Sequence, residues 1–524
     1  MVKNDNPDIR NAFHKAAELV KSWGQSILPD GRTVAETFTF EGLSFWNAIS
    51  PMLAFTYISP LLTSSSRQST NGAFRQTLTQ KAKHMAFDKG ISVIAGTSGC
   101  SHWPSHPAFL FLGFTHNMYR ETLQPVAASL ARRTDCPIVV IDELLPYQTR
   151  MSAHDDAFHS LWQHWDNNVA RTDRRLRNLL ETATAHVTGK SGLPKIVAEN
   201  GMEWRAVQPV FDWFFNAYLP RLVKNAAIAL HIIEHHRPAL LISPDVNDPR
   251  TRIFCLAGRL AGIKTLEIHF SFYGINDIEW RFFIADHLAV TGDANLQIMR
   301  DHGIPLEKMT VTGSPRYDNA VSWPSELPAN VRRDLNIPVG KIMVLFASQP
   351  YYFGTFSSPE IRREMIQALF HAASKLDGLI LIVKPHPLED QAELASLVQS
   401  GNSIRFVDKK LDIRDLIKAS DAFITSFSNT TFDALVMNKP TINLLFPGCC
   451  ANNLIEHSGA TFVARTEDDI TRILQSLCNG SGSLLIENLA AARESFLKDW
   501  FHKLDGRAAE RIEAIALEMT GGSH

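Results

Sequence analysis

The chain has 524 residues, 45% hydrophobic and 20% charged, with a formal net charge of −2. That is ordinary globular composition, and it excludes nucleic acid as a partner because no basic excess is present to meet a phosphate backbone. At about 150 residues per domain, the length predicts two or three domains.

Six cysteines (Cys100, Cys136, Cys255, Cys449, Cys450 and Cys478) are scattered without a C-x-x-C pair. They read as reduced thiols of a cytoplasmic protein. The N-terminus carries no apolar h-region, so no secretion signal is read there. No apolar run approaches the ~20 residues needed to span a bilayer.

In chain order, Ala12 to Trp23 has helical periodicity. Phe45-Trp46 and Met52 to Leu62 form a strongly apolar patch. It reads as core; the alternative is peripheral contact with a membrane surface, although the Lys/Arg flank of an interfacial helix is missing. Arg67 to His84 reads as a polar helix, and Ile91 to Ile94 as a first strand. Ala108 to Thr115 is a buried strand ending at His116, followed by a helix to about Arg133. Pro137 to Asp142 is the next strand. This β-α-β order begins a parallel, doubly wound domain.

Residues 150–200 are polar and read as helical. Pro209 to His236 is a long helix with an aromatic stripe of Phe211, Phe214, Phe215 and Tyr218, which at this spacing reads as core. Ala239 to Ser243 is a strand ending at Pro244-Asp245. A helix over Arg252 to Leu260 follows, stopped by Gly262. Thr265 to His269 and Asp286 to Val290 are further strands, and Met309 to Thr312 is a short one. Gly313-Ser-Pro-Arg-Tyr-Asp318 leads into a Pro-rich connector.

A second doubly wound domain opens at Lys341 to Phe346, whose turn holds Gln349. Leu379 to Val383 is a continuous apolar run that stops at Lys384-Pro-His-Pro387, the pattern of a strand buried on both faces. Ala422 to Thr425 is another such strand. It runs into Ser426-Phe-Ser-Asn-Thr-Thr431 and a helix containing Phe432, Asp433, Leu435 and Val436. Hydroxyls and unpaired backbone N–H groups therefore gather at a helix start beyond a parallel strand end, where anions bind in open α/β sheets. Lys384 and His386 are expected to add donors from a neighbouring strand end. Leu489 to Met519 reads as a helical tail.

The Lys-Pro-His-Pro strand end and the Ser/Thr-rich turn into Phe-Asp-Ala-Leu resemble the C-terminal domain of GT-B glycosyltransferases, over about residues 285–520. The pair is most similar to enzymes with cytidine-activated donors: CDP-glycerol transferases, bacterial polysialyltransferases and capsule Kdo transferases. The resemblance implies an α/β fold of two Rossmann-like, doubly wound domains facing a cleft. On this reading residues 1–105 are a helical elaboration, 106–315 the acceptor-side domain, 316–340 a linker, 341–490 the donor domain, and 491–524 a C-terminal helix crossing back. It also implies that His386, Pro387, Ser428 and Thr430 hold the donor's phosphates. Lys384, Ser426, Asn429, Gln349, Arg316 (to a phosphate) and Asp433 (to a ribose hydroxyl) complete the expected donor set. Arg316 has the alternative of tying the hinge to the sheet, and Asp433 that of complementing the helix dipole.

A displacement at the activated carbon needs a stabilised leaving phosphate, a base and in-line placement of the substrates. No D-x-D pair stands at a strand end, so no metal and no cofactor are expected. Candidates for the base lie at strand ends of the first domain: His269, Asp245 and His116. In CDP-glycerol transferases the base is a His within a His-Gly-Thr turn, which His269 resembles by position, although Phe270 stands where that turn has Gly. A carboxylate base, as in sialyl- and Kdo-type enzymes, is Asp245. The expected activity is a metal-independent, inverting glycosyl (or polyol phosphate) transfer from a nucleotide-activated donor. The acceptor is expected to be a glycan, glycolipid or protein of surface polymer assembly, met in the cytoplasm or at the inner membrane face. Two alternatives stand beside it: an enzyme like the non-hydrolysing UDP-N-acetylglucosamine 2-epimerases, and a nucleotide-sugar-binding scaffold without turnover.

Overall fold

The computed structural model describes residues 7–62, 103–114, 119–143, 158–245, 247–270, 278–322, 327–351, 356–398, 403–426, 428–449, 453–480 and 482–521. The strands in chain order are β1 (Thr39–Phe40), β2 (Leu43–Ser44), β3 (Phe109–Leu112), β4 (Ile138–Asp142), β5 (Phe158–Ser160), β6 (Leu240–Ser243), β7 (Thr265–Ile268), β8 (His287–Val290) and β9 (Met309–Val311). They continue as β10 (Ile342–Ala347), β11 (Leu379–Lys384), β12 (Ile404–Phe406), β13 (Ala422–Thr425), β14 (Thr441–Leu444) and β15 (Phe462–Ala464).

Residues 11–270, 276–318 and 507–524 form one compact unit. Its seven-stranded sheet has the order β5-β4-β3-β6-β7-β8-β9. Every pair is parallel; Phe111, for example, stands beside Val140 on one side and Ile242 on the other. The chain starts in the middle, winds outwards to β5, and returns to β6 on the other flank of β3. That reversal leaves a crevice beyond the carboxyl ends of β3 and β6, the switch point where doubly wound sheets hold their ligands. The strands are buried on both faces: Phe109, Phe111, Leu240 and Ile242 are fully enclosed. This is why they read as unbroken apolar runs and not as alternating ones.

The second unit is built on residues 319–506. Its six-stranded parallel sheet repeats the scheme, β12-β11-β10-β13-β14-β15, with its switch point between β10 and β13. Phe346 is in register with Val383 and with Ile424, on either side. One face packs on helix Pro359–Ser374 through Met365, Leu369 and Phe370. The other packs on helix Ile413–Ala419 through Leu416 and Ile417.

Several elements differ from the sequence reading. Residues 158–160 form strand β5 within a stretch read as wholly helical, and β15 and the β1–β2 hairpin were not anticipated. All are two or three residues long, too short for a periodicity to register. The long helix before β6 is three stretches in series: Trp204–Trp213, a wide π turn at Phe214–Tyr218, and Leu219–His236. The stretch read as a linker is largely ordered, since helix Leu327–Asp334 leads into Leu335 and Ile337, which pack on the second unit's core. The helical tail is divided. Helix Gly482–Phe501 belongs to the second unit, and Ala508–Met519 packs in the first through Ala509, Ile512 and Ala516. The expected helix over 67–84 and strand over 91–94 lie outside the described residues.

The stripe of Phe211, Phe214 and Phe215 is core, as read, with Phe215 stacked on Phe38 at 5.1 Å. No helix among the described residues is long and apolar enough to cross a membrane. One cluster in the first unit is unusual. His159, His164 and His236 surround Trp103, which stacks on His236 at 4.1 Å. Burial holds His159 and His236 down at about 4 and His164 at about 3.

Candidate functional site

In the second unit the residues expected to hold a phosphate do not come from adjacent strands. Strand β10 lies between β11 and β13. The correction matters because β10 then contributes to the same edge. Its end supplies Ser348 and Gln349, and the Ser426 hydroxyl at the end of β13 donates to Gln349 Oε1 at 2.7 Å. That contact spans the switch point itself.

The Pro-His-Pro turn after β11 is held by a residue the sequence reading passed over. Glu389 is buried, and its carboxylate accepts from the His386 backbone N–H at 2.7 Å and from the Ser348 hydroxyl at 2.7 Å. It also pairs with the guanidinium of Arg362, which is itself buried and donates through Nε to the Gln349 carbonyl at 2.7 Å. A buried ion pair survives only where each charge is matched and hydrogen-bonded. Here the matching bonds clamp the ends of β10 and β11 together. The available signal was spacing: Glu389 follows His386 by three residues, close enough to close a turn on its backbone N–H.

His386 is half-buried. Its Nδ1 accepts the Leu388 backbone N–H at 3.2 Å, which assigns the ring proton to Nε2. Burial lowers its pKa further, partly opposed by Glu389. The ring is thus a neutral Nε2–H donor at pH 7. Pro387 is exposed beside it. Lys384 behaves differently: it is buried, and its ammonium donates to the Lys409 carbonyl at 2.8 Å. That contact turns it to the loop beyond β12.

On the turn after β13, Ser428 Oγ accepts from the Thr430 hydroxyl at 2.8 Å and from the Thr430 backbone N–H at 3.3 Å. Ser428, Asn429 and Thr430 are all half-buried. Asn429 occupies the cap position of helix Thr430–Val436, without a side-chain cap bond. Asp433 is fully enclosed, which leaves it no surface to offer a ribose.

In the first unit the three candidate bases part company. His116 lies outside the described residues. His269, after β7, is buried; its Nδ1 sits 3.2 Å from the Thr291 hydroxyl and its ring meets Trp280 edge-on at 5.3 Å. It is a packed core histidine. Asp245, after β6, lines a cavity of about 510 Å³. Pro244 ends the strand, and the Asp245 carboxylate then accepts the Asn247 backbone N–H at 2.8 Å. Burial, and then the nearby charge of Asp248, push its pKa up to about 6.

The cavity has two kinds of wall. The N-terminal helix Phe45–Leu62 and helix Leu219–His236 supply Pro51, Met52, Phe55 and Leu222. The rest of the lining is polar and includes two guanidinium groups: Glu143, Tyr218, Arg221, Asn225, Asn247, Asp248 and Arg250. A mostly apolar concavity with a few convergent polar groups and one displaced pKa is the usual form of a small-molecule site. Asp248 caps helix Pro249–Leu260 through the Arg250 backbone N–H at 2.8 Å. Arg250 returns a fork to Asp248, with Nε to Oδ1 at 2.9 Å, and pairs with Glu143 as well. The sequence reading began this helix at Arg252, and it could not show that Glu143, more than a hundred residues earlier, meets Arg250.

The Gly-Ser-Pro-Arg-Tyr-Asp stretch is structural on the contacts seen. Arg316 pairs with Glu121. Asp318 accepts the backbone N–H groups of Ala508 and Ala509, at 3.0 and 2.7 Å, and so caps the last helix. Arg511 on that helix donates to the Thr312 carbonyl at 2.8 Å. Among the described residues no group of three or more His, Cys, Asp or Glu side chains is disposed to hold a metal ion.

Two doubly wound parallel sheets in one chain define the GT-B class of architecture, and solved structures of that class match over most of the chain. A UDP-N-acetylglucosamine 2-epimerase from Neisseria meningitidis, bound to UDP-N-acetylglucosamine, aligns with a TM-score of 0.50 at 12% identity, covering 79% of this chain and 99% of the other. A glycosyltransferase from Rickettsia africae aligns at 0.48 and 14% identity, covering 80% of this chain and all of the other. At 12% identity the likeness to the epimerase structure establishes the fold alone. Residues 284–517 match the family described as CDP-glycerol:poly(glycerophosphate) glycerophosphotransferase. That span takes in the whole sheet of the second unit and most of the last helix. No curated protein matches the chain by sequence.

Proposed function

We propose that the protein transfers a sugar or polyol phosphate from a nucleotide-activated donor, with a cytidine nucleotide preferred, to an acceptor of surface polysaccharide, glycolipid or glycoprotein assembly. The observation that carries this reading is the family match over the second unit, on which the Glu389-clamped His386 turn and the Gln349–Ser426 contact fall together. On this reading the donor's phosphates lie at the switch point of the second sheet. The His386 Nε2–H and the Ser428 hydroxyl donate to the leaving phosphate as charge builds on it, while the Ser426 and Thr430 hydroxyls hold Gln349 and Ser428 in place. In the first unit Asp245 takes the proton from the acceptor hydroxyl, with a pKa close enough to neutral for a base that must both accept and release it. The displacement is single and inverting, and needs no metal, because neutral donors and hydroxyls carry the leaving group. The reaction is placed on the cytoplasmic side, where the donor is available.

The test is a thermal-shift screen of the full chain against CMP, CDP, UDP and GDP, since a ligand bound only by the folded state raises apparent stability with occupancy. A cytidine or uridine nucleotide should raise Tm, and His386→Ala should abolish most of that shift and slow transfer by roughly 10²–10³-fold. Unchanged nucleotide affinity in His386→Ala would remove the phosphate assignment. Turnover that fails in EDTA and returns with magnesium would refute metal independence. Epimerisation of UDP-N-acetylglucosamine by the protein alone would replace transfer with the epimerase reading. Nucleotide binding with neither hydrolysis nor transfer would leave a scaffold.

A further inference from the structure

Helix Leu219–His236 is preceded by a π turn at Phe214–Tyr218, and that turn decides what faces the cavity beside Asp245. An α-helix repeats every 3.6 residues, so seven residues make nearly two full turns. In an unbroken helix Tyr218 would stand over Phe211, on the aromatic face where Phe211 meets Trp23 and Phe215 meets Phe38. The sequence pattern reads Tyr218 into that stripe for this reason. A π turn holds one residue more than an α turn, and rotates everything after it by about 100°. Tyr218 therefore leaves the stripe. Its ring meets Trp213 at 5.1 Å and Phe214 at 5.7 Å. It lines the cavity with Arg221, Leu222 and Asn225, three, four and seven residues further along one helix face. A single π turn inside a helix is rare and recurs at functional sites. Here it sets a phenol in a cavity and not in the core.

The two polar walls are complementary. The helix wall offers donors: the Tyr218 hydroxyl, and the guanidinium of Arg221, which is exposed and has no ion pair among the described residues. The loop after β6 offers acceptors. Asp245 is a carboxylate, and Asn247 Oδ1 is buried with no hydrogen-bond partner among the described residues. A buried carbonyl oxygen of this kind is costly until something donates to it. A hydroxyl-bearing ligand serves both walls, since its O–H groups donate to the loop and its oxygens accept from the helix. Burial, and then the charge of Asp248, push the Tyr218 hydroxyl above the ordinary tyrosine range. The phenol thus keeps its proton as a donor and does not compete with Asp245 as a base.

We infer that Tyr218 is a further substrate-contacting residue of the transfer: its hydroxyl donates to an oxygen of the acceptor and holds the reacting hydroxyl towards Asp245. The inference rests on the transfer reading, and adds to it the residue that orients the acceptor.

The test is Tyr218→Phe in the full chain, which removes one oxygen and keeps the ring against Trp213 and Phe214. The probes are methyl glucoside, methyl N-acetylglucosaminide and glycerol 3-phosphate, observed by saturation-transfer NMR, with the CDP and UDP thermal shifts measured on the same samples. At least one probe should bind the unmodified chain. Tyr218→Phe should weaken that binding roughly 3–10-fold, the scale of one hydrogen bond, with the nucleotide shift and the Tm of the free protein unchanged. Equal affinity in the two proteins would overturn the inference. So would the absence of any bound probe while nucleotide binding is intact. A Tyr218→Phe protein that loses Tm and nucleotide binding together would overturn it as well, because the hydroxyl would then serve the fold. Each of these leaves the transfer reading standing. Failure of the unmodified chain to bind any nucleotide would instead bring down that reading, and the inference with it.

Discussion

The two sheets share a winding and differ in what stands at their switch points. In the second unit the ends of β10, β11 and β13 carry hydroxyls, a carboxamide and a neutral histidine, and the buried carboxylate of Glu389 is turned onto Arg362 and backbone N–H. In the first unit the edge beyond β6 carries Asp245, Asp248 and Glu143 around a half-apolar cavity. Topology thus places a crevice at each sheet, and only the strand-end side chains decide what it can hold. A doubly wound sheet is a position for chemistry and not a chemistry.

The strongest way to separate the two ends is Asp245→Asn. It should lower the transfer rate by about 10²–10⁴-fold while nucleotide affinity at the other sheet is unchanged. The same substitution should stabilise the protein. The folded carboxyl titrates near 6 against 3.8 for the unaltered group, so the fold holds its proton more tightly and stability falls as pH rises between those values. Above pH 6 the full penalty stands, and an asparagine escapes it, by up to about 2–3 kcal/mol at ~1.4 kcal/mol per pKa unit. Calorimetry at pH 8 should show a higher Tm for the variant, and the rate of the unmodified enzyme should rise with pH through about 6. A lower Tm for Asp245→Asn would count against the burial assigned to this group.

Glu389→Gln acts on the other end. It leaves the buried Arg362 only the exposed Glu393, 3.9 Å away, a loss of up to about 3–5 kcal/mol where one member of a buried pair is removed. Denaturant unfolding should register it, and nucleotide affinity should fall along with stability because the His386 turn loses its anchor. An unchanged midpoint would mean the clamp is dispensable.

The smallest effect is graded. His159, His164 and His236 in the first unit are held neutral by burial, with His231 and His235 close by. Their folded pKa values lie below the ordinary 6.5, so the unfolded chain binds more protons below that pH, and stability is lost as pH falls from 6.5 towards 4. His164, whose pKa is displaced furthest, contributes up to ~1.4 kcal/mol per pH unit. Acid should therefore loosen the first unit before the second, read by hydrogen exchange of β5 against β13. Simultaneous loss would dissolve the distinction.

Much of this was legible in the residues. Unbroken apolar runs such as Leu379–Val383 and Leu240–Ile242 announce strands buried on both faces, because a parallel sheet covered by helices offers neither face to water. Pro244, Pro385 and Ser426 mark where those runs end, so Asp245, His386 and the hydroxyl turn could be placed at strand ends from the sequence alone. The resemblance built on the Lys-Pro-His-Pro and Ser/Thr turns led to the family that residues 284–517 match. Tertiary structure decided what local pattern cannot carry. Strand order put β10 between β11 and β13, which brought in Ser348 and set the expected Gln349 against Ser426, while Lys384 meets the Lys409 carbonyl. Long-range packing sealed His269 against Trp280, opened a cavity beside Asp245, and joined Glu143 to Arg250 across more than a hundred residues. Periodicity reports which face of an element is dry. Which side chains from distant elements share that space, and with what charge, is set only when the chain closes on itself.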